Sequence, residues 1–274
     1  MKYKNYTLNT QKVVESIFIA LTGVYLLWQF STRTTFFIQV PSLFNRVLFG
    51  SLVFVVFLKI CCKRLSLKKI GICITVFLAY LLVYLNDRYP FLLYTAIIII
   101  GLEDIDYRRI LKLYLFTVGI GFAVTALAGI TSTITNYIYV RAERGIRSSW
   151  GICYPTDLAS TYYYILLFLW VVLKKMPDWT MVILSISSIL LSARIAYSST
   201  GTICSVLFLV AILYHMLEQH ISVKHTGKLG VFRFVDKFLI VAFPVFGGGF
   251  FALMMIYAKG VDIGYKLDSF FPVG

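Results

Sequence analysis

Three stretches of the chain contain no aspartate, glutamate, lysine or arginine: Leu113–Val140, Ile195–Leu217 and Phe238–Ala258. A bilayer core about 30 Å thick is crossed by about 20 apolar helical residues, and each of these stretches is long enough to cross. Composition agrees, with 59% of residues hydrophobic and only 14% charged. A soluble domain carries roughly a quarter of its residues as charges. The fold class that follows is all-α, a multi-pass transmembrane helical protein.

Polar punctuation divides the chain into about nine spans, near 13–30, 47–62, 70–86, 89–102, 110–132, 157–173, 179–193, 201–217 and 237–258. The third and fourth are separated only by "NDRYP", where Asn86, Asp87 and Pro90 predict a tight turn. The fourth and seventh are short for a full crossing. No small-x-small cleavage site follows "LLWQFSTRT", so the first span reads as uncleaved. No repeat or soluble segment interrupts the chain, which reads as one integral membrane domain over 1–274.

Basic residues set the orientation, because the cytoplasmic side of a membrane protein collects lysine and arginine. With the N-terminus inside, 17 basic residues fall on the cytoplasmic side and 9 outside. The cytoplasmic set includes Lys59, Lys63, Arg64, Lys68 and Lys69 of the second loop and the basic residues around the loop 218–236. The net charge of +14 is thereby a topology signal, and no nucleic-acid partner is expected. The two cations segregate: 13 of 15 lysines are cytoplasmic, whereas 7 of 11 arginines are external. Topology needs positive charge of either kind. Arginine adds a planar fork of donors that grips phosphate or carboxylate through paired hydrogen bonds. The external arginines therefore either bind an anion or pair with lipid phosphates, Glu143 or Asp157.

The longest external connection, 133–156, lies between spans five and six and holds Arg141, Arg144 and Arg147. On a helix, steps of three would bring all three onto one broad face. A hydrogen bond to a charged group contributes about 1.5–3 kcal/mol, so converging arginines can hold a diphosphate at the membrane surface. The other reading is a solvated interfacial helix. Gly151 marks a special conformation or a close approach. Thr156 or Asp157 caps the helix expected from Leu158, with Pro155 just ahead of it. Asp157 is also a candidate general base, or the partner that orients Arg147. Trp150 and Tyr154 flank Gly151 and belong either to an interfacial aromatic belt or to a surface that stacks on sugar.

A second polar stretch, "SARIAYSSTGTICS", carries Arg194, Ser199 and Thr200 at an external turn. Arg194 is the one basic residue of that short loop and a candidate to share a site with Arg147. His215, His220 and His225 fall at the cytoplasmic end of the eighth span or beyond, away from the arginines. The five cysteines show no C-x-x-C and no metal spacing, and no cofactor or metal is expected.

At "RSSWGICYPTDLAS", followed by "TYYYILLFLWVVLKK", the chain resembles the Wzy-type polymerases of O-antigen, capsule and exopolysaccharide synthesis, relatives of the O-antigen ligases. The family frame places Arg, a large apolar residue, Gly and Pro where Arg147, Trp150, Gly151 and Pro155 stand. Arg194 followed by Ser199, Thr200 and Gly201 resembles a second family pattern. Tyr154 occupies a position that is often His, and Thr156 one that is often Asn, so a base here would be Tyr154 or Asp157, or none is needed. The resemblance implies a membrane glycosyltransferase of the bacterial cytoplasmic membrane. Such an enzyme moves a glycan from undecaprenyl diphosphate to another lipid-linked oligosaccharide repeat unit, outside the membrane. Arg147, Arg194, Asp157 and Tyr154 would then carry catalysis. Arg141, Arg144, Trp150, Gly151, Ser199 and Thr200 would bind substrate. Membrane lipid and other polysaccharide-assembly proteins are the implied partners. Family members usually run longer, so a shortened chain is expected. The alternatives are a transporter or flippase of lipid-linked sugars, and a non-catalytic membrane subunit.

Overall fold

The computed structural model describes residues 2–36, 41–62, 66–88, 90–141, 145–173 and 176–224, and the chain divides into two compact units, 1–212 and 213–274. Among the described residues the main elements are α1 (Lys2–Ser31), α2 (Ser42–Cys62), α3 (Leu67–Asp87), α4 (Phe91–Gly101), α5 (Tyr107–Ile130), a ribbon of β1 (Ile138–Arg141) and β2 (Gly145–Ser148), α6 (Pro155–Val172), α7 (Asp178–Ile195) and α8 (Ser199–Lys224). Among the described residues, six helices are long and apolar enough to cross a membrane, all but α4 and α6. The protein is therefore a multi-pass membrane protein.

The first eight spans read from hydropathy each coincide with one helix, and 237–258 lies outside the described residues. Most boundaries move outward because backbone hydrogen bonding continues past the apolar run, but α4 is shorter at both ends than expected and α5 and α6 end at Ile130 and Val172. α2 begins at Ser42, directly after Pro41, and α8 continues to Lys224, so residues 218–224 are helix where a loop was expected. α7 reaches Ile195 and gains the length that its apolar core lacks. α4 stays short: its 11 residues span about 16 Å, roughly half the hydrocarbon thickness. The break at "NDRYP" differs from the turn expected of Asn86, Asp87 and Pro90: Asn86 and Asp87 stay in α3, which is capped by Arg88, left-handed at φ 52° with its N–H donating to the Tyr84 carbonyl at 2.7 Å.

Two buried clusters flank α1. Val14, Phe18 and Tyr25 pack with Leu48, Leu52, Val55 and Val56 of α2 and with Tyr94 and Ile97 of α4. Phe30, near the end of α1, joins Val118, Phe122 and Ala126 of α5, Leu158, Ala159 and Ile165 of α6, Leu191 of α7, and the loop residues Ile152 and Ala196. α7 meets α8 through polar contact, with the hydroxyls of Ser188 and Ser205 2.8 Å apart and both residues fully buried. In lipid, small hydrogen-bonding residues of this kind let helices approach closely. α3 packs beside α4 and buries none of its apolar window, so that surface faces outward.

At one edge of the helices, Lys59 in the last turn of α2 is buried and donates to the carbonyls of Gly101 and Glu103, both at 2.6 Å. It was expected in a cytoplasmic loop. Instead its ammonium caps the carbonyl end of α4, the end that carries partial negative charge. Lys69 pairs with Glu103 at 2.7 Å and Asp104 at 3.5 Å at the same edge. At the other edge the segments after α1, α5 and α7 come together and form the candidate site. In the second unit, the described residues 213–224 continue α8, and His215 contacts Gln219 at 2.8 Å and Glu218 at 3.9 Å.

Candidate functional site

The helical face expected for the loop arginines does not form. Residues 138–148 make an antiparallel ribbon in which Tyr139 pairs with Arg147 and Arg141 with Gly145. "YIYV" and "GIRS" supply the aromatic and β-branched residues that suit a pleated surface, and this preference overrides the spacing of three. Arg147 thus occupies a ribbon position opposite Tyr139, while Arg144 and Glu143 lie outside the described residues.

A lone two-stranded ribbon is marginal in water, so its anchoring matters. The Asn136 side-chain amide donates to and accepts from the Ser148 hydroxyl at 3.1 and 3.2 Å, and its Oδ1 also accepts the Trp150 N–H at 2.9 Å. Ser149, fully buried, donates its hydroxyl to the Tyr137 carbonyl at 3.1 Å. The Tyr139 hydroxyl donates to the Cys153 carbonyl at 2.7 Å. Burial, and then the neighbouring Tyr154, Cys153 and Tyr137, push the Tyr139 phenol above its ordinary value, which keeps it a donor.

Directly after β2 the chain reverses. Trp150 and Gly151 both take positive φ, 46° and 79°, and the Ile152 N–H closes the turn on the Ser149 carbonyl at 2.9 Å. A side chain at 151 would also meet Ile134 at 2.6 Å and the Thr125 carbonyl at 2.9 Å. Gly151 therefore serves both roles expected of it, a special conformation and a close approach. Its counterpart is Gly129 on α5, where an added Cβ would stand 2.3 Å from the Trp150 carbonyl carbon. The two glycines let the turn seat on the end of α5. Trp150 packs against the buried cluster below it.

The same turn receives the end of α1. Thr35 N–H donates to the Gly151 carbonyl at 2.8 Å, Cys153 N–H donates to the Arg33 carbonyl at 2.7 Å, and Thr34 bridges to Ile152. From the third side comes the widened last turn of α7, Leu191–Ile195, a local i→i+5 geometry of the kind that recurs at functional sites. Arg147 Nε donates to the Ala196 carbonyl at 2.7 Å, tying β2 to the residue two beyond Arg194. The side chain of Arg194 is exposed.

The remaining residues take more modest positions. α6 starts at Pro155, with Tyr154 before it making no side-chain cap, so Asp157 lies in the first turn and caps nothing. A carboxylate there still favours the positive end of the helix. Burial and then Asp157 raise the Cys153 thiol, which stays protonated at neutral pH. Tyr154 is exposed and stacks on Tyr139, with centroids 6.2 Å apart. Ser199 and Thr200 open α8 and are exposed, but the cap is Ser198, whose hydroxyl accepts the Gly201 N–H at 3.2 Å. A cleft of about 370 Å³ lies among Ala193, Tyr197, Ser198, Ser199, Thr202 and Ile203, so Ser199 borders it.

Sequence reasoning missed Asn136, Ser149 and Gly129 as parts of this edge, and it counted Arg33 among the external arginines without singling it out. A lone Asn ahead of an alternating aromatic run was a signal for Asn136. Nothing local marked Gly129 among the small residues of α5. Arg33 is exposed and borders a second, mostly apolar cavity of about 290 Å³ among α1, α4, α5 and α6, whose polar lining includes Gln29, Thr95 and Thr161. No group of three or more His, Cys, Asp or Glu among the described residues is arranged to hold a metal ion.

The fold and this edge define a class: a multi-pass helical membrane protein with an anchored ribbon at one membrane edge. No protein-family model, curated protein or solved structure matches the chain.

Proposed function

We propose that the protein is a membrane glycosyltransferase that polymerises lipid-linked oligosaccharide repeat units on the outer face of a bacterial cytoplasmic membrane. The observation that carries the reading is the bond from Arg147 Nε to the Ala196 carbonyl. It fixes the guanidinium by one of its five N–H donors, next to a turn that bears Arg194, and beside a segment that bears Arg33. Cations from three distant parts of the sequence thus share one edge. At the opposite edge Lys59 caps the carbonyl end of α4 and Lys69 pairs with Glu103 and Asp104.

In the proposed reaction the acceptor sugar hydroxyl attacks the anomeric carbon of the lipid-linked glycan. The new C–O bond forms as the bond to the diphosphate oxygen breaks, and the electron pair leaves on that oxygen. The arginines stabilise this growing charge, which is strongest in the transition state. The acceptor proton passes to a base, for which the Asp157 carboxylate is the candidate. The outward orientation rests on the basic-residue bias. It is supported by the pairing of the segments after α1, α5 and α7 at one edge and of Lys59 and Lys69 with residues 101–104 at the other.

The test is Arg147→Ala and Arg194→Ala in an otherwise intact producing strain. Single repeat units should remain on the lipid carrier at the outer face and long polymer should vanish. Unchanged polymer in both variants would sink the reading. Lipid-linked units trapped on the cytoplasmic face would instead establish a translocase.

A further inference from the structure

Trp150, which flanks Gly151, packs down onto the core, yet an aromatic surface does form on the other side of the turn. Tyr139 and Tyr154 stack with an interplanar angle of 29° and centroids 6.2 Å apart. Tyr137 sits edge-on to Tyr139 at 6.4 Å. Tyr137 is 48% exposed and Tyr154 is 57% exposed. Tyr139 is the direct ribbon partner of Arg147, so the rings adjoin the anchored guanidinium.

We propose that Tyr137, Tyr139 and Tyr154 form a glycan-binding platform that seats a pyranose ring beside Arg147. Aromatic faces carry partial negative charge, and the C–H groups on one face of a pyranose carry partial positive charge, so the two surfaces attract and exclude water between them. Interfacial belt tyrosines usually spread around a membrane protein with the hydroxyl toward the headgroups. This group differs in two ways. Its three rings contact one another as a cluster with Tyr137 and Tyr154 exposed, and Tyr139 turns its hydroxyl inward to the Cys153 carbonyl at 2.7 Å, which fixes the ring. An uncharged platform suits an uncharged sugar, and the adjoining cation suits the anion to which that sugar is linked. The inference rests on the glycan-handling reading of this edge and adds where the sugar itself is held.

The full chain in lipid nanodiscs is mixed with lipid-free oligosaccharide released by mild acid from the producing strain's surface polysaccharide. Saturation-transfer NMR then reads contact between protein aromatic protons and sugar C–H groups. Transfer is expected with the wild-type chain. Tyr137→Ala and Tyr154→Ala should each weaken affinity about three- to tenfold, the size of one aromatic contact. Tyr154→Phe and Tyr154→Trp keep a ring and should retain binding, which separates loss of the platform from loss of folding. Absence of transfer with the wild type, equal affinity in the alanine variants, or loss in Tyr154→Phe equal to that in Tyr154→Ala would each overturn the proposal. Tyrosine-dependent binding in a chain whose polymer is unaffected by Arg147→Ala would remove the transfer reading and leave the platform standing.

Discussion

The two edges of the helical bundle use their cations in opposite ways. At one edge Lys59 is buried against two main-chain carbonyls and Lys69 sits between Glu103 and Asp104. These charges are consumed in closing the carbonyl end of a short helix. At the other edge Arg147 is oriented by a carbonyl, and among the described residues no Asp or Glu is ion-paired with the exposed Arg33 or Arg194. Lys59 and Lys69 close the end of a short helix, whereas Arg147 ties the ribbon to the turn after α7 and leaves Arg33 and Arg194 exposed at the same edge.

The contrast breaks most sharply at Arg147. Arg147→Lys keeps the charge but loses the Nε bond to Ala196 and the planar fork, and long polymer should fall about ten- to a hundredfold, the range of one or two charge-assisted hydrogen bonds. Gel profiles of surface polysaccharide measure it, and a silent Arg147→Lys would erase the distinction between the edges.

Next in size is the glycine pair beneath the turn. Gly129→Val drives a side chain into the Trp150–Gly151 backbone and should destabilise the protein by about 1–3 kcal/mol while releasing the ribbon. Thermal unfolding in detergent reports the first effect. Faster proteolysis in the 133–153 segment reports the second.

Lys59 provides the opposite case. Lys59→Ala leaves the Gly101 and Glu103 carbonyls without their cap and should cost about 1–3 kcal/mol of stability. Polymer length should be unchanged at permissive temperature. A polymer defect without a stability loss would move Lys59 into the functional machinery.

The smallest effect concerns Cys153. Its thiol lies above the ordinary value of 9.0, so the reactive thiolate is scarce at pH 7–8 and maleimide labelling should keep accelerating beyond pH 9. Asp157 contributes to that rise, so Asp157→Asn should lower the value and speed labelling modestly. An impermeant maleimide added to whole cells also reports the side on which this edge lies. Protection of Cys153 in intact cells but not in broken ones would invert the orientation.

The helices were legible because lipid imposes a one-dimensional rule, a run of apolar residues long enough to cross. Polar punctuation also located the segment after α5 that forms this edge, and residue type marked the special conformation and close approach at Gly151. These local signals misplaced what depends on partners. Spacing of three suggested a helix for the arginines, yet ribbon pairing with "YIYV" decided the local structure. Asp157 looked like a cap, yet the helix had already begun at Pro155. Lys59 looked like a loop charge because nothing in the sequence tells that the carbonyl end of α4, some forty residues later, will sit against it.

By itself, the sequence determined that this chain is a multi-pass membrane protein and which segments are its helices, since the cost of unsatisfied polar groups in hydrocarbon is paid segment by segment. Tertiary structure alone decided which segments meet at each edge. The seating of Gly151 over Gly129, the tie between Arg147 and Ala196, and the stack of Tyr139 on Tyr154 all join residues far apart or on separate elements. Such contacts depend on packing in three dimensions, and no local pattern encodes them.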